Sequence, residues 1–193
     1  GGSATITVTG ATSTQTLNLE SVDNGICPVT LSESASVTVE TTTWDGTAWS
    51  NGAPSATKAA IIAGNMTITS NIEACSLIVN NNAVVTVASG YNVTLQNALT
   101  VASGSTFTVN SNANLIQVNP AAVNSGNIVV KRTTNPLMRL DYVLWGSPVA
   151  GQNLFNFSPL TSVSPSVRFY TYTTAINFYN GVTDYATHTM QTG

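Results

Sequence analysis

Between residues 77 and 120 apolar and polar positions alternate in short runs, and the runs recur. Residues 77–98 read LIVNNNAVVTVASGYNVTLQNA, and residues 99–120 read LTVASGSTFTVNSNANLIQVNP. Placing Leu77, Leu99 and Ala121 in one register aligns Val79, Val101 and Val123. The same register aligns Val85, Phe107 and Val129, and sets Val87 on Val109 and Val93 on Leu115. Turn formers separate these columns: Asn80-Asn81-Asn82 against Ala102-Ser103-Gly104 against Asn124-Ser125-Gly126. An earlier, less regular copy spans residues 59–72, where IIAGNMTIT resembles VASGSTFTV. A 22-residue period of short strands with Asn and Gly corners predicts a parallel β-helix or related solenoid. Successive strand side chains point to opposite faces, so each inward residue stacks on the same position of the next coil. Asn and Gly suit the corners because both tolerate left-handed backbone angles. An antiparallel sandwich with evenly spaced strands also alternates in this way. The shared register of the apolar columns favours the solenoid.

The flanks have other textures. In residues 1–40, Ile6 and Val8, Leu17 and Leu19, and Val37 and Val39 alternate with polar residues around the turn VDNGICP. That predicts about three antiparallel strands. A sandwich needs about seven, so these are expected to be the closing strands of an immunoglobulin-like domain. Residues 41–54, TTTWDGTAWSNGAP, are crowded with Gly, Asn and Pro and predict a linker or cap carrying Trp44 and Trp49. Residues 55–130 are the expected solenoid. From Lys131 onward aromatics and charges return, and VRFYTYTTAINFYN predicts a hairpin within a β-rich C-terminal cap or the start of a further domain, residues 131–193. The fold expected is therefore all-β: partial immunoglobulin-like strands, then a short parallel β-helix with an aromatic-rich β cap.

Composition sharpens this picture. Charged residues make up 7% of the chain, against about 25% in ordinary soluble domains, while Ser, Thr and Asn abound. Neutral polar side chains suit strands and turns better than helix surfaces, so almost no helix is expected. With five Lys and Arg and a net charge of −3 there is no basic surface for phosphates, which argues against nucleic acid. No apolar run reaches the roughly 18 residues of a membrane span, so no membrane insertion by this segment is expected. The start at Gly1 and the unpunctuated end at HTMQTG are those expected of a piece of a longer protein.

Three stretches carry a resemblance: TTTWDGTAWSNGAPSATKAAII, ACSLIVNNNAVVTVASGYNVTLQNALTVASGSTFTV and MRLDYVLWGSPVAGQNLFNFSP. Together they resemble cell-surface and secreted proteins of Bacteroidota, especially flavobacterial adhesins and exoproteins exported by the type IX secretion system. The resemblance covers about residues 41–180. It implies immunoglobulin-like repeats before a β-rich repeat module, an extracellular or cell-surface location, and contact with the secretion machinery during export. No sorting domain of that group is visible within the sequence.

Candidate chemistry is sparse. His188 is the single histidine, and hydrolytic triads need a base held beside a nucleophile. Cys27 and Cys75 are an even pair that permits a disulfide in an oxidising compartment, or two small buried side chains. Neither a zinc-ligand cluster nor an Asp-rich calcium loop is present, and no cofactor or metal is expected. Between residues 55 and 130 the one acidic residue is Glu73, whereas glycoside hydrolysis typically uses two carboxylates. Lys131, Arg132, Arg139 and Asp141 are the one convergence of charge: an ion-pair set at the end of the solenoid, or a groove for an acidic sugar. Trp44 and Trp49 cap the core or offer a sugar platform, and Tyr91 and the tyrosines of 170–185 are further candidate glycan contacts. Thr86 and Thr108 share an outward column that Val130 is expected to break, which weighs against an ice-binding face. The expected role is a non-catalytic structural or adhesive module whose partners are glycans or cell-surface proteins. Carbohydrate binding through aromatics is the alternative, with a polysaccharide-degrading β-helix enzyme behind it.

Overall fold

The computed structural model describes residues 14–23, 25, 28–138 and 140–192. The expected strand around Ile6 and Val8, and Cys27 and Arg139, lie outside them. Two compact units divide at Thr133 and Thr134.

The first unit opens with an antiparallel hairpin, β1 (Gln15–Asp23) and β2 (Pro28–Val37), with a register shift between Leu19 and Ser21. A parallel stack follows, made of β3 (Glu40–Trp44), β4 (Lys58–Ile62), β5 (Met66–Ile68), β6 (Ile72–Ala74), β7 (Leu77–Val79), β8 (Val84–Val87), β9 (Asn92–Leu95), β10 (Leu99–Val101), β11 (Thr106–Val109), β12 (Asn114–Gln117) and β13 (Val129–Val130). These strands form three parallel sheets, ordered β10-β7-β4-β3, β13-β11-β8-β5 and β12-β9-β6. One strand from each sheet makes a coil, and the result is a β-solenoid of about 4 turns.

Register explains the core. Leu77 lies beside Leu99, Val85 beside Phe107, Val87 beside Val109 and Val93 beside Leu115, each pair 22 residues apart. Each of these coils sends two inward side chains from each sheet. Leu77, Val79, Val85, Val87, Val93, Leu95, Phe107 and Val109 are all buried. Burying a side chain of this size contributes about 1.5–3 kcal/mol, and none can be lost without opening a gap in a column. The preceding coil is smaller. Ala60 and Leu77 are 17 residues apart, Met66 and Val85 19, and Ile72 and Val93 21. Shorter corners, and the small Ala60 and Ala74 at inward positions, explain why this copy looked irregular in sequence.

The corners use asparagine as expected, with Asn81, Asn82 and Asn112 in left-handed conformations. Asparagine also ties coils together. The side-chain oxygens of Asn65 and Asn71 accept from the Val84 and Asn92 N–H of the next coil at 2.9 and 3.0 Å. Asn114 Nδ2 donates to Asn92 Oδ1 at 2.9 Å and Asn119 Nδ2 to Asn97 Oδ1 at 3.2 Å, so identical amides bond in ladders.

Three sequence expectations need correction. Thr41 to Trp44 are not linker: they belong to β3, the first rung, paired with Ala59 to Ile62. The third copy also slips. The residue beside Thr100 is Ser125, 25 positions on, so Ala121 and Val123 do not continue the leucine and valine columns, and Val123 is 84% exposed. Pro120, which has no N–H to give a ladder, starts a turn at this point. Finally, Val129 pairs with Thr108 and Val130 with Val109. A one-residue slip reverses every side chain of a strand, so Val129 faces outward and Val130 inherits the inward column. The outward file is thus Thr67, Thr86, Thr108, Val129, broken by Val129 and not by Val130.

The second unit, from Thr134, is mostly irregular. It contains a four-residue helix α1 (Leu154–Phe157) and the expected hairpin, β14 (Tyr170–Thr173) with β15 (Phe178–Gly181), paired antiparallel. Its core is aromatic: Phe169 is buried, stacks on Tyr185 at 5.9 Å and meets Phe155 edge-on at 6.4 Å. The described residues are all-β with almost no helix.

The corrected register predicts opposite outcomes for neighbouring residues. Phe107→Ala is expected to lower stability by about 3–5 kcal/mol. Val130→Ser is expected to cost about 1 kcal/mol or more, because a hydroxyl enters the core, and Val129→Ser to change stability by less than about 0.5 kcal/mol. Urea denaturation of the three variants checks this; a larger loss at residue 129 than at 130 restores the 22-residue register.

Candidate functional site

The loop of residues 45–57 interrupts the repeat and closes the first rung of the stack. An outermost strand presents unpaired backbone groups, and here the loop turns back to meet them. Ser50 N donates to the Thr43 carbonyl, and Thr43 N to the Ser50 hydroxyl, both at 2.9 Å. Asn51 Nδ2 donates to the Thr41 carbonyl at 3.3 Å. Thr42 holds the inward position that leucine takes in later coils. It is fully buried and donates to the Gly52 carbonyl at 2.8 Å, so its hydroxyl faces loop and not core. Lys58 Nζ reaches the Asn51 carbonyl at 2.8 Å and lies 3.7 Å from Glu40.

Both tryptophans belong to this closure. Trp44 and Trp49 pack against the buried core with ring centroids 5.6 Å apart, and Trp44 Nε1 donates to the Asn65 carbonyl at 3.1 Å. Gly64 permits the fit: a Cβ there would collide with the backbone of Asp45. Asp45 in turn organises the tip of the loop. Its Oδ1 accepts from Thr47 N and Thr47 Oγ1 at 2.7 Å and from Ala48 N at 2.9 Å. Those donors, the Ala48 N–H first and then the Thr47 hydroxyl and N–H, lower its pKa to about 2.

Beside Trp49 the loop leaves a hollow of about 140 Å³. Ala53 and Pro54 complete its loop side, and Met66, Ser70, Asn71, Ile72 and Glu73 form the facing side. Tyr91 lies at the same corner of the stack one coil on, half-buried against the core, and is not among the lining residues. Of the residues singled out in the sequence, Trp49 lines the hollow, and Ser70 and Asn71 were not among them. Loop 45–57 has no period, so nothing in the pattern showed which corner it would meet.

The charged residues at the end of the repeat fall into different units. Lys131 continues the ladder beyond β13, its N–H donating to the Val109 carbonyl at 2.8 Å. Arg132 Nη1 donates to the Lys131 carbonyl at 2.8 Å. Asp141 belongs to the second unit, where Oδ2 accepts from Met138 N at 2.8 Å. Arg139 lies outside the described residues. In the second unit Arg168 Nη1 donates to the Tyr142 hydroxyl at 3.0 Å, and Tyr142 meets Tyr170 at 5.6 Å. Tyr172 meets Tyr179 across the hairpin at 5.0 Å.

His188 lies within the second unit. Its Nδ1 is 3.4 Å from Asp184 Oδ2, and its carbonyl accepts from Leu154 N at the start of α1. Among the described residues no hydroxyl or thiol hydrogen-bonds its ring. Cys75 is buried, with its sulfur 3.6 Å from Asn97 Nδ2; pairing with Cys27 lies outside the described residues. Among the described residues no group of three or more His, Cys, Asp and Glu side chains is placed to hold a metal, and no helix is long and apolar enough to cross a membrane.

Residues 36–193 match a family model described as Domain of unknown function (DUF8693). The chain belongs to this family. The DUF8693 match starts just before β3, takes in the whole solenoid and the second unit, and leaves β1 and most of β2 outside. No curated protein and no solved structure matches the chain.

Asp45 gives the loop an acid response of defined sign. Its folded pKa lies below the usual carboxylate value, so its contribution is complete above about pH 4 and lost as pH falls toward 2. Amide exchange at Thr47 and Ala48 is expected to lose protection over that range and in Asp45→Ala at every pH. Asp45→Asn, whose side-chain oxygen still accepts, is expected to keep protection down to pH 2.

Proposed function

We propose that this chain is a non-catalytic structural and adhesive module of a large extracellular or cell-surface protein. The observation that carries the proposal is the neutrality of the coils. From Ala74 to Val130 the sequence contains no Asp, Glu, Lys or Arg, while the inward columns are packed with Val, Leu and Phe. Such a surface has no carboxylate to serve as acid or base and no cation to polarise a substrate. What it offers is repeated hydroxyl and amide groups on a stiff backbone, suited to many weak hydrogen bonds. The neutral face also limits nonspecific ionic attachment.

The resemblance to Bacteroidota surface proteins exported by the type IX system supports the same role, as does the placement of a separate antiparallel hairpin before the family region. In this proposal the partners are glycans or surface proteins of neighbouring cells, and the secretion machinery acts only during export.

A salt titration separates hydrogen-bonded adhesion from ionic attachment. Beads coated with the 193-residue chain are expected to stay on polysaccharide-coated surfaces with less than about a twofold change between 0.05 and 1 M salt. Beads washed off at the higher salt would show ionic attachment, and release of reducing sugar ends from the coating would show an enzyme. Either result overturns the proposal, as does failure of the beads to attach at all.

A further inference from the structure

We infer that the hollow beside Trp49 is a binding site for one neutral pyranose ring, such as an unbranched hexose unit of a glycan. This goes beyond the module's proposed role and does not depend on it. The site is built where the repeat is interrupted, by loop 45–57 on one side and the corner between β5 and β6 on the other.

Its chemistry is that of sugar recognition. A pyranose presents weakly positive C–H groups on its faces and hydroxyls around its rim. An indole has a negative face that attracts such C–H groups, and Met66 and Ile72 extend the apolar surface. The rim of the hollow is polar, and its groups retain bonding capacity. Asn71 spends its oxygen on the Asn92 N–H, which leaves the Nδ2 donors. Glu73 spends Oε1 on Gln96 Nε2 at 3.0 Å, which leaves Oε2 as acceptor. The Ser70 hydroxyl has no partner among the described residues and can both donate and accept. A donor, an acceptor and a group that does both, set around an aromatic wall, match vicinal hydroxyls.

Charge sets the selectivity. Glu73 is the one ionised side chain lining the hollow, and Lys58 is already engaged by Asn51 and Glu40. A carboxylate beside the site repels anionic ligands, so neutral sugars are accepted and uronic acids refused. At about 140 Å³ the space holds one ring partly open to solvent and not a chain.

Nuclear magnetic resonance of the full chain tests this with methyl glucoside, methyl galactoside, methyl mannoside and methyl glucuronide as probes. At least one neutral probe is expected to shift the Trp49 indole N–H and the Asn71 side-chain amide with a Kd of about 1–10 mM. The glucuronide is expected to bind at least about fivefold more weakly, like-charge repulsion at a surface site being modest. Ser70→Ala should weaken the neutral probe severalfold, and Glu73→Gln should remove the discrimination against the glucuronide. Both residues are exposed, so neither variant threatens the fold, whereas Trp49→Ala would disturb the cap. The inference is overturned if no neutral probe moves the Trp49 and Asn71 signals at 50 mM, about five times the weakest Kd expected. It is also overturned if the glucuronide binds equally well, or if shifts fall only on the tyrosines of residues 170–185. None of these results bears on salt-resistant bead adhesion, so the two proposals fail separately.

Discussion

Every coil of the solenoid must present to the next the same side chain direction at the same place. Strands in a parallel ladder lie about 4.7–4.9 Å apart, so each inward residue touches its equivalents above and below. A column is therefore a shared constraint. Ile68, Val87, Val109 and Val130 succeed one another in one file because a shorter side chain would leave a gap and a longer one would push the coils apart. Corners obey the same rule from outside. They lengthen between the coil of Ala60 and the coil of Leu77, and the span between paired residues grows from 17 through 19 and 21 to 22, the value that holds between the coils of Leu77 and Leu99.

A stack of this kind has two ends, and the residues there are polar where the interior is apolar. At the first rung Thr42 replaces the column's leucine and bonds to the loop, while Trp44 and Trp49 shield the core. At the other end Gln117 follows Ala74 and Leu95 in its column and forms a reciprocal amide pair with Asn124 at 2.7 and 2.8 Å. Asn124 Oδ1 also accepts from Leu99 N at 2.8 Å, a side chain serving where a further strand would have supplied a carbonyl. Two residues on stands Gly126, where a Cβ would run into the carbonyl of Val101. Substitutions in columns thus mark termini and not mistakes in the repeat.

This division explains what the amino-acid pattern made legible. Wherever the period holds, from Leu77 to Gln117, partners can be assigned residue by residue, and the assignments for Leu77, Val85, Val87 and Val93 match the coordinates. The copy after Pro120 carries three extra residues before Ser125, and a count of 22 then lands on Val123 and Val129, which face outward. Alternation alone did not expose the slip, because Val129 and Val130 are both valine. The first rung was hidden for a different reason: TTTW reads as polar loop, and its pairing with AAII depends on a buried threonine bonded to Gly52. The hollow was illegible because its two sides come from an aperiodic loop and a corner, brought together only by folding.

The neutrality of the coils follows from stacking before it follows from any task. A charge repeated in register meets its own kind about 4.8 Å away, and in water that repulsion costs about 0.9 kcal/mol per pair. An asparagine repeated in register does the opposite, since one amide donates and accepts, as Asn92 with Asn114 and Asn97 with Asn119 do here. Exact repetition therefore selects neutral amides and hydroxyls, and it makes every stretch of the regular surface chemically alike. A distinct recognition chemistry can arise only where repetition stops. Loop 45–57 is one such place, and it brings an indole beside Ser70, Asn71 and the carboxylate of Glu73.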